Sequence, residues 1–215
     1  MTLSETLTEE QIIKRIVKGE TALYEIIIRR FNPYLYKIGR SYNYNHDDTQ
    51  DLMQETFIDA YKNLSQFEGR SQFKTWIIRI MMNNCFRKKN KSSYKNEITK
   101  DIHDNDRPMF TSSNADGDKL LQNKELGSII ENTLTKVPLD YRMVFSLREI
   151  NGLNVAETAE LLNISEANVK VRLNRAKKIL RTEIEKKYSA SEVFEFNLIY
   201  CDAIVEKVMK RINEL

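Results

Sequence analysis

Cysteine, histidine, glycine and proline are all scarce in this 215-residue chain, which has two Cys, two His, six Gly and three Pro. Cys85 and Cys201 form no CxxC pair and no metal-ligand spacing, which excludes a disulfide framework and a zinc site. His46 and His103 lie in polar stretches predicted as loops, and no metal ligand is assigned. No Ser/His/Asp grouping and no glycine-rich phosphate loop is present, so the chain is expected to have no catalytic residue, no cofactor and no enzymatic activity. No apolar run reaches the ~18 residues of a membrane helix, and no charged-then-apolar leader opens the chain. A cytoplasmic protein without membrane insertion is expected. No long alternation of apolar and polar residues marks a strand, while helix formers abound. An all-α protein is predicted.

The net charge of +3 is small, so the distribution of charge is more informative than its sum. Val155 to Ile184 reads as two helices joined by a tight turn. Val169, Leu173, Ala176, Leu180 and Ile184 fall on one helical stripe, at steps of four, three, four and four. The opposite side has Lys170, Val171, Asn174, Arg175 and Lys178, and six cations without an acid lie between Asn168 and Arg181. Asn163 suits a left-handed turn position, and Ser165 suits the N-cap of the second helix. A basic surface helix packed on a bundle would show the same stripe. The short preceding helix and the Asn-Ile-Ser turn favour a helix-turn-helix, whose second helix enters a major groove.

Upstream, Thr8 to Arg30 is predicted as two amphipathic helices broken at Lys18-Gly19-Glu20, and Pro33 is predicted to begin a further helical piece. Thr49 to Leu64 is predicted as a helix with Met53, Phe57, Ala60, Tyr61 and Leu64 on its apolar side. Asp51, Glu55 and Asp59 stack on the other side at spacings of four. The helix dipole accounts for Asp47 and Asp48 at the start, but poorly for Asp59. The ridge is read as a docking face for a basic protein partner. Charge then inverts: Lys62, Arg70, Lys74, Arg79, Arg87, Lys88, Lys89 and Lys91 face a single acid, Glu68. Tyr61, Phe67, Phe73, Trp76 and Phe86 are interleaved with them. Cations hold phosphates and flat rings stack unpaired bases, the combination suited to opened DNA. Phe73 and Trp76 are equally compatible with a core role.

The order of these segments resembles a known family. Asp51-Leu-Met-Gln-Glu-Thr-Phe, Phe67-Glu-Gly-Arg-Ser-Gln-Phe-Lys-Thr-Trp76, Arg79-Ile80 and Asn83 are similar to region 2 of bacterial RNA polymerase sigma factors. The helix-turn-helix, preceded by Val137-Pro138 and Arg148-Glu-Ile-Asn-Gly-Leu153, resembles their region 4. Two such regions and a short linker resemble the extracytoplasmic-function (ECF) group, over about residues 10 to 185. The resemblance implies region 2 at 1–90, a flexible linker at 91–122, region 4 at 123–188 and an extra C-terminal helix at 189–215.

It also implies roles. Asp51, Gln54 and Glu55 match the surface that binds core RNA polymerase at the clamp helices of its largest subunit, with region 4 expected on the beta-subunit flap. Phe67, Lys74, Trp76, Arg79, Asn83 and Arg87 match the segment that recognises and melts the −10 element of promoter DNA, with Phe67 and Asn83 lining a pocket for a flipped base. Arg148, Lys170, Arg172 and Arg175 match positions that contact the −35 element, with Ser165, Asn168 and Asn174 as additional contacts. An anti-sigma factor covering the free form is a further family expectation. The chain departs from the family at Ala167-Asn168-Val169, where Gly-Thr-Val is common, at Val171, where a small polar residue is common, and at Met81 to Cys85, bulkier than the usual Ala-rich segment.

The linker, Asn90 to Lys119, has too little apolar content to fold alone. In the tail, Ser189 and Glu192 match a capping box, and Leu198, Cys201, Val205, Val208, Ile212 and Leu215 form a short coiled-coil-like seam, with Cys201 a seam residue rather than a redox sensor. Other readings are a stand-alone helix-turn-helix regulator, dimeric through the tail, and an interaction protein that mimics a sigma factor.

Overall fold

The computed structural model describes residues 7–91, 127, 129–186 and 209–210. The predicted linker and the seam and capping box of the tail lie outside these residues. The described residues contain helices and turns and no strand, so the all-α fold class holds. Residues 1–177 form one compact unit and residues 178–215 a second.

The first helix, α1 (Glu9–Val17), is started by Thr8. The Thr8 hydroxyl accepts from the Gln11 N–H at 3.3 Å, and the Gln11 side chain accepts from the Thr8 N–H at 3.0 Å. This reciprocal cap satisfies two N–H groups left open at a helix start. Gly19, at φ +108°, ends the turn that follows, a conformation costly for any residue with a Cβ. Helix α2 (Tyr24–Ser41) runs without interruption through Pro33, contrary to the expected new start there. Proline forfeits one helix hydrogen bond, yet Ile27, Phe31, Leu35 and Ile38 are buried in a continuous stripe on either side of it. Burial of these side chains, at roughly 1.5–3 kcal/mol each, outweighs the lost bond.

Helix α3 (His46–Lys62) begins earlier than its sequence predicts, because Asn45 caps it by accepting from the Asp48 N–H at 2.8 Å. His46 is therefore helical, and its Nδ1 lies 3.0 Å from the Tyr36 hydroxyl. The buried side of α3 is also shifted from the expected one. Leu52, Thr56, Phe57 and Ala60 are buried, Met53 is half-buried and Tyr61 is exposed. Thr56 tolerates burial because its hydroxyl donates to the Leu52 carbonyl at 2.7 Å and accepts from Asn84 Nδ2 at 3.2 Å. At the α2–α3 contact, a Cβ on Gly39 would stand 2.6 Å from Thr49 Cγ2; only glycine permits that approach.

Helix α4 (Phe73–Asn90) packs on α2 and α3. Phe73 is core, tilted against Phe31 and edge-on to Phe67 at ring separations of 5.2 and 5.3 Å. Trp76 is half-buried beside them. Cys85 is a free thiol, fully buried, and burial raises its pKa.

Residues 129–135 form α5, and Pro138 leads into α6 (Leu139–Phe145), which widens into a π-helical turn at Ser146–Ile150. Gly152 at φ +70° turns the chain into α7 (Val155–Leu162). Asn154 caps α7: its side chain accepts from the Glu157 N–H, and Glu157 Oε2 accepts from the Asn154 N–H, both at 2.8 Å. Asn163, at φ 52° and ψ 50°, is left-handed as its sequence position predicts. Helix α8 (Glu166–Glu185) follows. Val144, Ala159 and Val169 form a small core with Leu162, Ile164 and Leu173 against it. Met143, Leu147 and Leu153 instead join the main core built by α1 to α4. The two halves of the first unit thus share one apolar interior. Arg40 and Glu131 are ion-paired within it at 2.6 Å, and the Ser41 and Ser146 hydroxyls bond at 2.7 Å.

Candidate nucleic-acid interface

The N-terminus of α8 is set by Ser165, whose hydroxyl accepts from the Asn168 N–H at 3.2 Å. Val169 and Ala176 are fully buried, which fixes the rotation of the helix. Lys170, Val171, Asn174 and Arg175 consequently face solvent together. Arg175 is steadied by Tyr141, donating to its hydroxyl at 3.0 Å and lying 5.8 Å from its ring centre. Arg172 is half-buried at the edge of this face. Its Nε donates to Asn168 Oδ1 at 3.1 Å, and its Nη1 lies 3.4 Å from Asp140. The result is a cationic stripe on an exposed helix face with two arginines already oriented, the type of element that can enter a major groove. Arg148 is engaged with its own loop: it donates to the Leu153 carbonyl, and its Nε is buried without a hydrogen-bond partner.

The α4 set divides among adjoining clefts. Trp76, Asn83 and Arg87 line an open cleft of about 700 Å³ together with Asn63 and Phe86. Asn83 and Phe86 are exposed, Phe86 at 59%. Phe67, Arg70 and Arg79 line a second cleft of about 360 Å³ on the other side of Trp76. Phe67 and Asn83, expected on one pocket, thus lie on two clefts with Trp76 between them. Lys74 faces a different neighbour, 4.1 Å from the Tyr34 ring and donating to the Asn151 carbonyl. Burial lowers its pKa, Glu157 opposes that shift and Lys37 adds to it. Flat rings and cations beside open clefts can hold unstacked bases and the phosphates between them.

On α3, Asp51, Gln54 and Glu55 are exposed side by side. Glu55 and Asp59 lie 3.3 and 3.4 Å from Arg87, and Lys88 pairs with Asp48. Asp51 has no ion pair among the described residues. Beside the ridge, Tyr24, Ile28, Met53, Phe57, Ile58 and Tyr61 line an apolar groove between α2 and α3. Ile58 and Tyr61 are 47% and 41% exposed. The arrangement offers an apolar slot with a polar rim of Asn32, Gln50, Gln54 and Lys62, next to the acidic ridge, suited to a helical partner that meets both.

Sequence reasoning missed Asn63, which lines the cleft from the end of α3 and donates to the Asp59 carbonyl at 2.8 Å. It also missed Asn84, buried where α3 and α4 meet, and Tyr141 beneath Arg175. An asparagine at a helix end gives no signal of its own. Tyr141 becomes relevant only once α6 is packed on α8. No described helix is long and apolar enough to cross a membrane, and no cluster that would hold a metal ion occurs among the described residues.

Two family models match the chain, together over more than half of it. Sigma-70 region 2 matches residues 27–93, and Sigma-70 region 4 matches residues 128–180. The ECF RNA polymerase sigma-E factor of Escherichia coli strain K12 is 28% identical over 190 residues, 85% of this chain and 97% of that protein. That of Haemophilus influenzae is 25% identical over 192 residues, 85% of this chain and 98% of that protein. Among solved structures, CnrH in complex with the cytosolic domain of CnrY has a TM-score of 0.58 at 20% identity, over 82% of this chain and 97% of that one. The sigma factor RpoE in complex with the anti-sigma factor NepR from Bartonella quintana has a TM-score of 0.56 at 20% identity, over 71% and 91%. These structures share the fold. With both regions present in order, and relatives matched along nearly their whole length, the chain belongs to the sigma-70 family, as an extracytoplasmic-function RNA polymerase sigma factor.

Proposed function

We propose that this chain binds core RNA polymerase in the cytoplasm and directs initiation at promoters with paired −10 and −35 elements, performing no catalysis itself. The observation that carries this reading is the coexistence of three surfaces: the α3 ridge, the ring-and-cation clefts of α4 and the oriented cationic face of α8. Asp51, Gln54 and Glu55 would meet the clamp helices of the largest subunit, with the apolar groove beside them receiving a partner's side chains. Phe67, Trp76, Asn83 and Arg87 would take up −10 bases and phosphates. Without nucleotide chemistry, DNA is opened only by binding the opened form better, at a cost of a few kcal/mol per unstacked base. Lys170, Arg172, Asn174 and Arg175 would reach the −35 element, with Ser165 and Asn168 holding the helix end in place. Region 4 would also contact the beta-subunit flap. An anti-sigma factor is a further partner in this reading, by extension from the partner named for RpoE.

The test is run-off transcription with core polymerase on a set of promoter templates, with and without the chain. Promoter-specific transcripts that need the chain are expected. DNA binding without transcripts would favour an independent helix-turn-helix regulator.

A further inference from the structure

The exposed face of α8 is cationic and polar except for a short strip, Ala167 and Val171. Val169 and Ala176 are fully buried and mark the inner side of the helix. At about 100° per residue, Val171 lies about 200° round the axis from Val169, on the side turned away from the protein. It is 47% exposed. Lys170 and Arg175 flank it, Asn174 is its neighbour one turn on, and Ala167 lies one turn before it. Burial contributes little to a valine there, and a β-branched residue is a poorer helix former than Ala, Lys or Arg. Lys170, Asn174 and Arg175 can each bond to a base edge or a phosphate. Val171 offers hydrocarbon alone. In the major groove of B-DNA, the methyl group presented is the C5 methyl of thymine. The early residues of a recognition helix are the ones that meet base edges, and Val171 stands in the second turn of α8.

We propose that Val171 is a specificity-determining residue: its isopropyl group packs on the C5 methyl of one thymine in the −35 element. This rests on the reading of α8 as the −35 helix. The aim of the contact is set before DNA arrives. Valine has one strongly preferred χ1 rotamer in a helix, and burial of Val169 and Ala176 holds the rotation of α8. The two γ-methyl groups therefore project in a fixed direction, and little side-chain freedom remains to be lost on binding. The cations on either side supply attraction to DNA of any sequence, while Val171 distinguishes a base by shape and burial.

The test uses holoenzyme formed from core polymerase and the full chain, on templates that give chain-dependent run-off transcripts. Each thymine upstream of the −10 element is replaced in turn by uracil, which pairs as thymine does and lacks only the C5 methyl. Transcript yield at limiting holoenzyme is measured for the unmodified chain and for Val171→Ser. At one thymine the unmodified chain is expected to lose about three- to fourfold in yield, the value of one buried methyl. Val171→Ser is expected to initiate equally on the thymine and uracil templates at that position. The uracil series with the unmodified chain needs no variant to fold. No sensitive thymine, or an equal loss in Val171→Ser, would overturn the proposal and leave the functional reading standing. No chain-dependent transcript from any template would reject the functional reading beneath it.

Discussion

The Arg40 guanidinium lies 2.6 Å from Glu131, and both side chains are more than nine-tenths buried. Arg40 also donates to the Tyr44 carbonyl at 2.9 Å. The pair joins α2 to α5 across the interior of the unit. Removing one partner strands the other charge, at a cost of about 3–5 kcal/mol. Glu131→Ala is therefore expected to lower stability by that order, measured by urea unfolding. Arg40→Met with Glu131→Leu is expected to recover most of the loss. If the double variant were as unstable as the single one, stranding of the charge would not be the cause.

The acid ridge is unequal in its charge. Glu55 and Asp59 share Arg87, while Asp51 has no ion pair among the described residues. Asp51→Ala is thus expected to weaken binding to core polymerase more than Glu55→Ala, by roughly 0.5–1 kcal/mol. Competition for a limiting amount of core enzyme would measure it, and the isolated interaction of α8 with duplex DNA should stay unchanged in both.

On α8, Lys170 and Arg172 should separate in their effects. Lys170 is exposed and has no ion pair among the described residues, so Lys170→Ala is expected to reduce the salt slope of duplex binding by about 1 with stability unchanged. Arg172 also bridges Asn168 and Asp140. Its replacement by Ala is expected to cost roughly 1–3 kcal/mol in binding to a −35 duplex and to lower the urea midpoint slightly as well. Identical behaviour of the two variants would contradict the geometry.

Stability should also respond to pH through Glu9. Burial raises its carboxyl pKa, with Arg30 and the Phe73 backbone opposing the shift. The folded chain holds this proton more tightly than the unfolded chain does. The stabilising contribution is therefore full below the ordinary glutamate value and is lost as pH rises through the raised one. Glu9→Gln removes the titration, and a series of urea midpoints from about pH 4 to 7 should fall less steeply for it than for the unmodified chain.

What the sequence made legible was local. Asn163, Ser165 and the Val169–Leu173–Ala176 stripe act over one or two turns, and their residue types fix the backbone they need. The acid ridge was visible for the same reason, since residues four apart on a helix are neighbours. Its pairing with Arg87 depends on how α3 crosses α4, which no spacing encodes. Pro33 misled because the local cost of proline is visible in the sequence while the burial that offsets it is not. Met53 and Leu52 are one position apart, and only the α2–α3 contact decides which is buried. The α7–α4 contact joins residues about eighty positions apart in sequence.

The reciprocal cap at the start of α7 bears on how fast this contact exchanges. Glu157 uses Oε2 for the Asn154 N–H and Oε1 for Thr75. Letting go of Thr75 leaves the cap intact, so α7 keeps its first turn. Exchange of the Glu157–Thr75 hydrogen bond is then a side-chain event on a preformed helix, with no nucleation step to repeat. It should proceed in microseconds or less, far ahead of global unfolding.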